Sequence, residues 1–145
     1  MLLRIMPGQV ADYWDDIREG LERVLPQGIP DRNARLLYGL QMGDLQVWAS
    51  FQRGLTPDEN VVDGAVVTYV LDEVALKTKT FIIYAVWATH ETRPSTWLEG
   101  FEALKKFAKS MGCTRLAAYS DDDKILQVAR GLRAQTDYTY ITWDI

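Results

Sequence analysis

The sequence predicts one α/β domain, residues 1–145, built on a mixed β-sheet. First, an apolar run at Phe81–Ala88 is typical of a central strand covered on both faces. Second, an amphipathic helix pattern from Pro94 to Gly112 leads into a short strand pattern at Thr114–Tyr119. Third, two helix patterns and two strand patterns precede this strand–helix–strand unit. This order of strands and helices is typical of an α/β domain.

The two N-terminal helices are predicted from apolar spacing and from their end signals. Apolar side chains recur at helical spacing from Gly8 to Leu25, and Pro26 then stops the helix. Asp31 is positioned to cap a shorter helix, which we expect to end near Gly43 because glycine is favoured just past a helix end.

Two strands are predicted next. Residues 45–51 alternate between apolar and polar side chains, which indicates a half-buried strand. Thr56–Asp58 marks a loop, and Gly64–Leu71 is rich in β-branched residues, as strands are. Residues 72–79 then turn the chain into the apolar strand.

Trp48 lies on the polar face of its strand and has two interpretations. Five tryptophans and seven tyrosines are many for a core of this size, so Trp48 belongs either to an exposed aromatic patch or to the core. An exposed patch would mark a protein-binding surface. In the other interpretation, the first two helices cover Trp48.

The C-terminal part is predicted as helix, strand, helix and strand. Pro94 at the start and Gly112 just past the end suit the crossover helix. The run Ser120–Asp123 caps the next helix, because carboxylates are favoured at a helix N-terminus. Alternating residues at Thr136–Ile145 predict a final strand.

Composition excludes several classes of protein. A net charge of -4 with pI near 5.0 argues against nucleic-acid binding, and Lys105, Lys106 and Lys109 indicate a solvated helix face. No apolar run approaches the roughly 20 residues that span a bilayer, so we expect a soluble cytoplasmic protein. With one histidine and one cysteine, no metal site of the zinc type is expected, and Cys113 reads as a small buried residue.

The order of elements resembles the GNAT superfamily of acyl-CoA-dependent N-acetyltransferases, and the resemblance covers most of the chain. The best local match is Ala108–Leu116, which is similar to the family's helix end and fifth strand. Tyr119–Ile125 is similar to the stretch that usually holds an Asn and opens the next helix. The resemblance implies a sheet that splays between the strands at Thr80 and Arg115, with the pantetheine arm of acetyl-CoA in the V.

The resemblance also implies which residues contact acetyl-CoA. These candidates are Trp87, Ala88, Thr89, Arg93, Ser95, Thr96 and Asp122. In the family a glycine-rich loop binds the pyrophosphate, because backbone N–H groups must reach it and a Cβ stands in the way. No glycine occurs at Thr92–Trp97, and Pro94 removes one N–H donor. Either side chains replace the glycine loop, or the segment is a plain helix start with Trp97 as a core anchor.

The catalytic groups are harder to assign. The resemblance implies a tyrosine as proton donor on the helix after the fifth strand, but that position falls near Val128 or Ala129. Tyr119 is the candidate substitute. The candidate general bases are Glu73, Glu91 and His90, since histidine exchanges protons near neutral pH. The alternative for His90 is a surface residue without a catalytic role.

Two functions follow from these residues. The chain also resembles acetyltransferase-like proteins of tailed bacteriophages in its Gly112–Arg115 strand lead, Tyr-Ser-Asp turn and tyrosine-rich terminus. That resemblance implies a non-catalytic protein, in the virion or the host cytoplasm, that contacts virion or host proteins. The alternative is an active acetyl-CoA-dependent N-acetyltransferase, and a third is a CoA sensor without turnover. Homo-oligomers are compatible with each.

Overall fold

The sheet is mixed, as predicted. The computed structural model describes residues 1–53 and 60–145, so the predicted loop at Thr56–Asp58 lies outside the described residues. The strands are β1 (Leu3–Ile5), β2 (Leu45–Arg53), β3 (Asn60–Glu73), β4 (Thr78–Ala88) and β5 (Arg115–Ala118), in that spatial order. The helices are α1 (Val10–Val24), α2 (Arg32–Met42), α3 (Pro94–Ser110) and α4 (Asp123–Gly131). Strands β1 to β4 pair antiparallel, and β4 pairs parallel with β5.

The N-terminal region differs from its prediction in three details. Strand β1, which pairs with β2, is not among the predicted elements, because three residues are too few to show an alternating pattern. A 3-10 turn at Pro7–Gln9 precedes α1, which therefore begins later than Gly8. The capping prediction for Asp31 is wrong, because its backbone is left-handed (φ 55°) and its side chain makes no cap hydrogen bond. Gly43 ends α2 with φ 83°, as predicted.

Two apolar clusters form, one on each side of the sheet. On the side of α1 and α2, the core includes Ile17, Leu21, Val47, Val67 and Trp87, all at most 7% exposed. On the side of α3, it includes Trp48, Phe81, Leu104 and Ala108. The central strands are therefore covered on both faces, as the apolar run in β4 predicts.

Trp48 is buried in the core, so the exposed-patch interpretation is wrong, and α3 covers it in place of the first two helices. It is 6% exposed, and α3 covers it through Phe107, with the two rings 4.9 Å apart. Its indole Nε1 donates to Thr68 Oγ1 at 3.1 Å, and that hydroxyl donates to Gln46 Oε1 at 3.1 Å. The polar face of β2 thus pairs its polar groups internally beneath α3, which satisfies them without solvent.

The predicted final strand at Thr136–Ile145 is wrong. This segment has no regular structure, and Tyr138 and Trp143 are 88% and 79% exposed. Alternation alone does not make a strand, because a strand needs a neighbour to pair with, and β5 offers four residues. Helix α4 was correctly predicted but buries none of its residues. The end of α3 is as predicted, with Gly112 at φ 76° and Cys113 N donating to Ala108 O at 2.9 Å.

Candidate functional site

Strands β4 and β5 form a fork. Their parallel pairing runs from Thr80 opposite Arg115 to Ile83 opposite Ala118 and then stops. Strand β4 continues to Ala88, still paired with β3 on its other edge. Within the described residues, the backbone of residues 84–88 therefore has no strand partner on the β5 side. The splayed parallel strands predicted from the sequence are confirmed.

A β-bulge lies at the point where the fork opens. Ile83 pairs with Thr68 and Ala85 pairs with Val67, so Tyr84 is the extra residue in β4. A bulge re-aims a side chain and increases the local twist. Ile83 and Val86 pack toward α3, whereas Ala85 packs on the α1 side, and the Tyr84 ring contacts Tyr69 of β3. The bulge thus turns the Tyr84 phenol to the side of the sheet away from α3.

Four tyrosines gather around this opening, and we call them the tyrosine cluster: Tyr69, Tyr84, Tyr119 and Tyr140. The rings of Tyr69 and Tyr84 are 6.1 Å apart in an edge-to-face arrangement. The rings of Tyr119 and Tyr140 are 4.6 Å apart and tilted by 36°. Tyr84, Tyr119 and Tyr140 are 44%, 59% and 69% exposed, so a ligand can reach them.

The two pairs are coupled electrostatically through Tyr69. Burial is the main cause that raises the pKa of the Tyr69 phenol, and the negative charges of ionised Tyr119, Tyr84 and Tyr140 raise it further. A raised pKa keeps the Tyr69 proton on its oxygen, which makes Tyr69 a hydrogen-bond donor and a poor proton source. Tyr84 and Tyr119 are more exposed than Tyr69, so a substrate can reach their phenol groups.

The connector leads from the fork to the N-terminus of α3. Arg93 is the N-cap residue and its carbonyl accepts from the N–H groups of Thr96 (3.0 Å) and Trp97 (3.2 Å). No side chain caps this helix end, and Arg93, Ser95 and Thr96 are exposed. Trp97 is 38% exposed and belongs to neither core cluster, so its interpretation as a core anchor is wrong. An uncapped helix N-terminus with exposed Arg and hydroxyl side chains is suited to an anion.

A second polar group lies beside the connector and centres on Asp63. Asp63 is the extra residue of a bulge in β3, and its side chain is 14% exposed. Its carboxylate accepts from Ser50 Oγ at 2.5 Å and lies 3.9 Å from His90 Nε2. Thr89 Oγ1 lies 3.2 Å from His90 Nδ1 and also donates to the Asp63 carbonyl. The Asp63 carbonyl therefore anchors Thr89 at the start of the connector, and the Asp63 carboxylate lies near His90.

The four catalytic candidates lie in different parts of the structure. Tyr119 directly follows the last β5 residue paired at the fork. His90 lies seven residues beyond Ile83, about 23 Å along an extended chain, and Glu91 is farther and exposed. Glu73 accepts from Thr78 Oγ1 at the opposite end of β4. Of the four, only Tyr119 lies at the closed end of the fork, where the β4–β5 pairing stops.

The candidate acetyl-CoA-binding residues also lie in different places and have different surroundings. The side chain of Trp87 is buried in the α1 core, so only its backbone faces the fork. Asp122 caps α4 by accepting from the N–H groups of Lys124 (2.8 Å) and Ile125 (3.4 Å). Ala88 and Thr89 end the free edge of β4, and Arg93, Ser95 and Thr96 group together at the start of α3.

Tyr69, Tyr84, Tyr140 and Asp63 were not found by sequence reasoning. A bulge shifts side chains by one position, so the alternation in β3 and β4 does not reveal which tyrosines share a face. The tyrosine-rich C-terminus could have indicated Tyr140, but its alternating pattern was interpreted as a strand.

Two negative findings concern the described residues. Among residues 1–53 and 60–145, no helix is long and apolar enough to cross a membrane. In the same part of the chain, no three His, Cys, Asp or Glu side chains are grouped to hold a metal ion.

No protein-family model and no curated protein sequence matches the chain. Solved structures do match it over its whole length. An aminoglycoside acetyltransferase from an uncultured soil metagenomic sample, in complex with sisomicin, has a TM-score of 0.74 and 20% identity, over 95% of that chain. The aminoglycoside N-acetyltransferase AAC(6')-Iy, in complex with a CoA bisubstrate analogue, has a TM-score of 0.75 and 12% identity, over 97%. A ribosomal-protein-alanine N-acetyltransferase from Brucella melitensis has a TM-score of 0.67 and 13% identity, over 98%.

At these identities the likeness establishes the fold and not the activity. The chain has the GNAT fold, and the match extends over nearly all of each neighbour.

Proposed function

We propose that the protein binds acyl-CoA in the fork between β4 and β5 and transfers the acyl group to an amine. The observation that carries this proposal is the fork itself, with its free β4 edge at residues 84–88 and its tyrosine cluster. Two structures of AAC(6')-Iy are named as complexes, one with CoA and one with a CoA bisubstrate analogue, which supports the ligand class.

The residues at the fork fit acyl-CoA in two ways. The free edge of β4 offers backbone N–H and C=O groups that a ligand with amide groups can pair with, as an added strand does. At the start of α3, Arg93, Ser95 and Thr96 offer a cation and two hydroxyls for phosphate oxygens. In this proposal, these side chains contact the phosphates in place of the backbone N–H groups of the family's glycine-rich loop. Acyl-CoA supplies the activated acyl thioester.

When the amine takes the acyl group, CoA leaves as a thiolate, and we assign protonation of that thiolate to Tyr119. Tyr119 directly follows Ala118, the last paired residue at the closed end of the fork, and it is 59% exposed. Tyr84, the bulge residue, is the second candidate for the same step. The amine that accepts the acyl group must lose a proton before it attacks, and the open fork lets that proton pass to the bulk solvent and its buffer.

Thermal unfolding tests the cofactor half of this proposal. Acetyl-CoA at about 100 times its Kd should stabilise the folded protein by roughly 2.7 kcal/mol, which corresponds to a Tm increase of several degrees. Arg93→Ala should lower the affinity, and Arg35→Ala, an exposed arginine on α2, is the matched control. An unchanged Tm at millimolar acetyl-CoA would refute binding, and equal affinity in the two variants would refute the phosphate site.

Turnover tests the catalytic half. Release of free CoA in the presence of an amine panel should fall by roughly 100-fold or more in Tyr119→Phe with little change in acetyl-CoA affinity, as expected for a general acid. Full activity in that variant would move the assignment to Tyr84.

A second candidate function is a non-catalytic one through protein contacts, including the virion or host partners implied by the phage resemblance. The observation that favours it is the C-terminal segment, where Tyr138, Ile141, Trp143 and Ile145 are between 61% and 122% exposed. Exposed apolar side chains in one segment are typical of a surface that a partner covers. Binding of acetyl-CoA without turnover would leave a CoA sensor as the surviving alternative.

A further inference from the structure

We propose that the groove between β1 and α3 binds an extended acidic peptide, which adds as a strand to the outer edge of β1. The groove has a volume of about 410 Å³. It is called the β1–α3 groove below, and its walls are formed by Arg4, Trp48, Ala103, Lys106, Phe107 and Ser110. Strands β2 and β3 separate β1 from β4, so this site is distinct from the fork and the proposal goes beyond acyl transfer.

Arg4 stacks on an aromatic ring and leaves a buried donor unpaired among the described residues. It lies opposite Trp48 in the β1–β2 pairing, and its guanidinium carbon Cζ is 4.8 Å from the centroid of the Phe107 ring. Its Nε is buried and makes no hydrogen bond within residues 1–53 and 60–145. An unsatisfied buried N–H group is costly, and a carboxylate matches the planar donor pattern of a guanidinium. Arg4 is therefore suited to bind a carboxylate that enters the groove.

The α3 wall adds positive charge to the groove. Lys106 lines it, and the same wall continues into a neighbouring cavity lined by Lys105 and Lys109 together with one carboxylate, Glu102. Glu102 pairs with Lys105 at 3.3 Å, and neither Lys106 nor Lys109 forms an ion pair with a described residue. The whole chain has a net charge of -4, so this concentration of cations is local. It favours an anionic ligand over a neutral or cationic one.

The free edge of β1 favours a peptide over other anions. Within the described part of the chain, β1 is the outermost strand of the sheet and pairs with β2 alone. Its other edge presents backbone N–H and C=O groups that an extended peptide can pair with. In β1 itself, Arg4 is on the α3 side and Ile5 is in the α1 core, so neighbouring side chains alternate between the two faces. An added strand alternates in the same way, and carboxylates at every second position then face Arg4 and Lys106.

Fluorescence anisotropy tests this site with the whole chain and two labelled octapeptides, one of alternating glutamate and threonine and one with glutamine in place of glutamate. The glutamate peptide should bind roughly 10-fold more tightly or better, and added salt should weaken it, because screening reduces the charge contacts. Two further peptides carry N-methyl groups, one on the glutamate nitrogens and one on the threonine nitrogens. One of them should lose binding, since alternate N–H groups of a strand point to opposite edges.

Variants of the groove give the second part of the test. Arg4→Gln should weaken binding of the glutamate peptide by roughly 10-fold, and Lys106→Gln by roughly 2-fold to 5-fold. Lys124→Gln, which changes an exposed lysine on α4, is the matched control and should leave the affinity unchanged. Because Lys106 is exposed, its variant keeps the test valid if Arg4→Gln does not fold.

Four results would overturn the proposal. Equal binding of the glutamate and glutamine peptides, or no binding of either, would refute an acidic ligand. Equal affinities of the Lys106→Gln and Lys124→Gln variants would refute the location in the groove. Unchanged binding of both N-methylated peptides would refute strand addition. Tighter binding of an eight-nucleotide single-stranded DNA than of the glutamate peptide would refute the choice of a peptide.

Discussion

The α1 side of the sheet and the C-terminal region after α3 differ in how far their side chains are buried. On the α1 side, Ile17, Leu21 and Val67 are 0% exposed, and a Cβ added to Gly20 would overlap the Trp87 indole. After α3, helix α4 buries no residue and the terminal segment is exposed. The first region holds the shape of the sheet, whereas the second contributes Tyr119 and Tyr140 to the fork. Changes in the first should therefore alter stability, and changes in the second should alter binding.

The largest effect is expected where α1 crosses β4. Gly20→Ala should destabilise the protein by about 1–3 kcal/mol, because the new methyl group forces Trp87 out of position. Gly100→Ala on α3 is the matched control, since its Cβ would lie 3.6 Å from Leu2 Cδ2, an ordinary contact. That variant should be neutral or gain up to about 1 kcal/mol from helix propensity. Urea unfolding measures both, and a neutral Gly20→Ala would contradict the packing at Trp87.

A smaller effect is expected from removing the terminal segment. Deletion of residues 136–145 removes the Tyr119–Tyr140 ring contact and the hydrogen bond from Arg130 Nε to Thr136 Oγ1. Both are exposed, so the loss should stay within about 1 kcal/mol, or a few degrees of Tm. A loss of several kcal/mol, measured by thermal unfolding, would show that the segment packs as the strand predicted from its alternation.

The smallest effect concerns alkaline pH. Because the folded state raises the pKa of Tyr69, its contribution to stability is fully present below about pH 10 and is lost as pH rises through the raised value. Tyr69→Phe removes this contribution, so its Tm should fall less steeply above pH 10 than that of the wild type. Tyr38→Phe serves as the control and should follow the wild type. Parallel Tm curves for Tyr69→Phe and wild type would contradict the raised pKa of the Tyr69 phenol.

Sequence patterns predicted the parts of the fold that depend on local signals. Apolar periodicity and end signals gave α1, the α2 end at Gly43 and the whole of α3, because each rests on neighbours within one helical turn. The residues of the candidate site were harder to predict from the sequence. The bulges at Asp63 and Tyr84 insert one residue into a strand, and nothing in the alternation indicates where.

The errors have a common physical origin in long-range contacts. Trp48 was placed on a polar face, but Thr68, twenty residues away, accepts its N–H and α3 covers it. Thr136–Ile145 alternates as a strand does, yet pairing depends on an edge elsewhere in the chain.

Hydrogen exchange with and without acetyl-CoA tests the central claim, that the fork binds acyl-CoA. Saturating acetyl-CoA should slow exchange in residues 84–97, which comprise the free edge of β4, the connector and the first turn of α3. Exchange in β1 and β2, which β3 separates from the fork, should remain unchanged. Unaltered exchange throughout residues 84–97, at a concentration where binding is otherwise detected, would contradict the assignment of the fork as the acyl-CoA site.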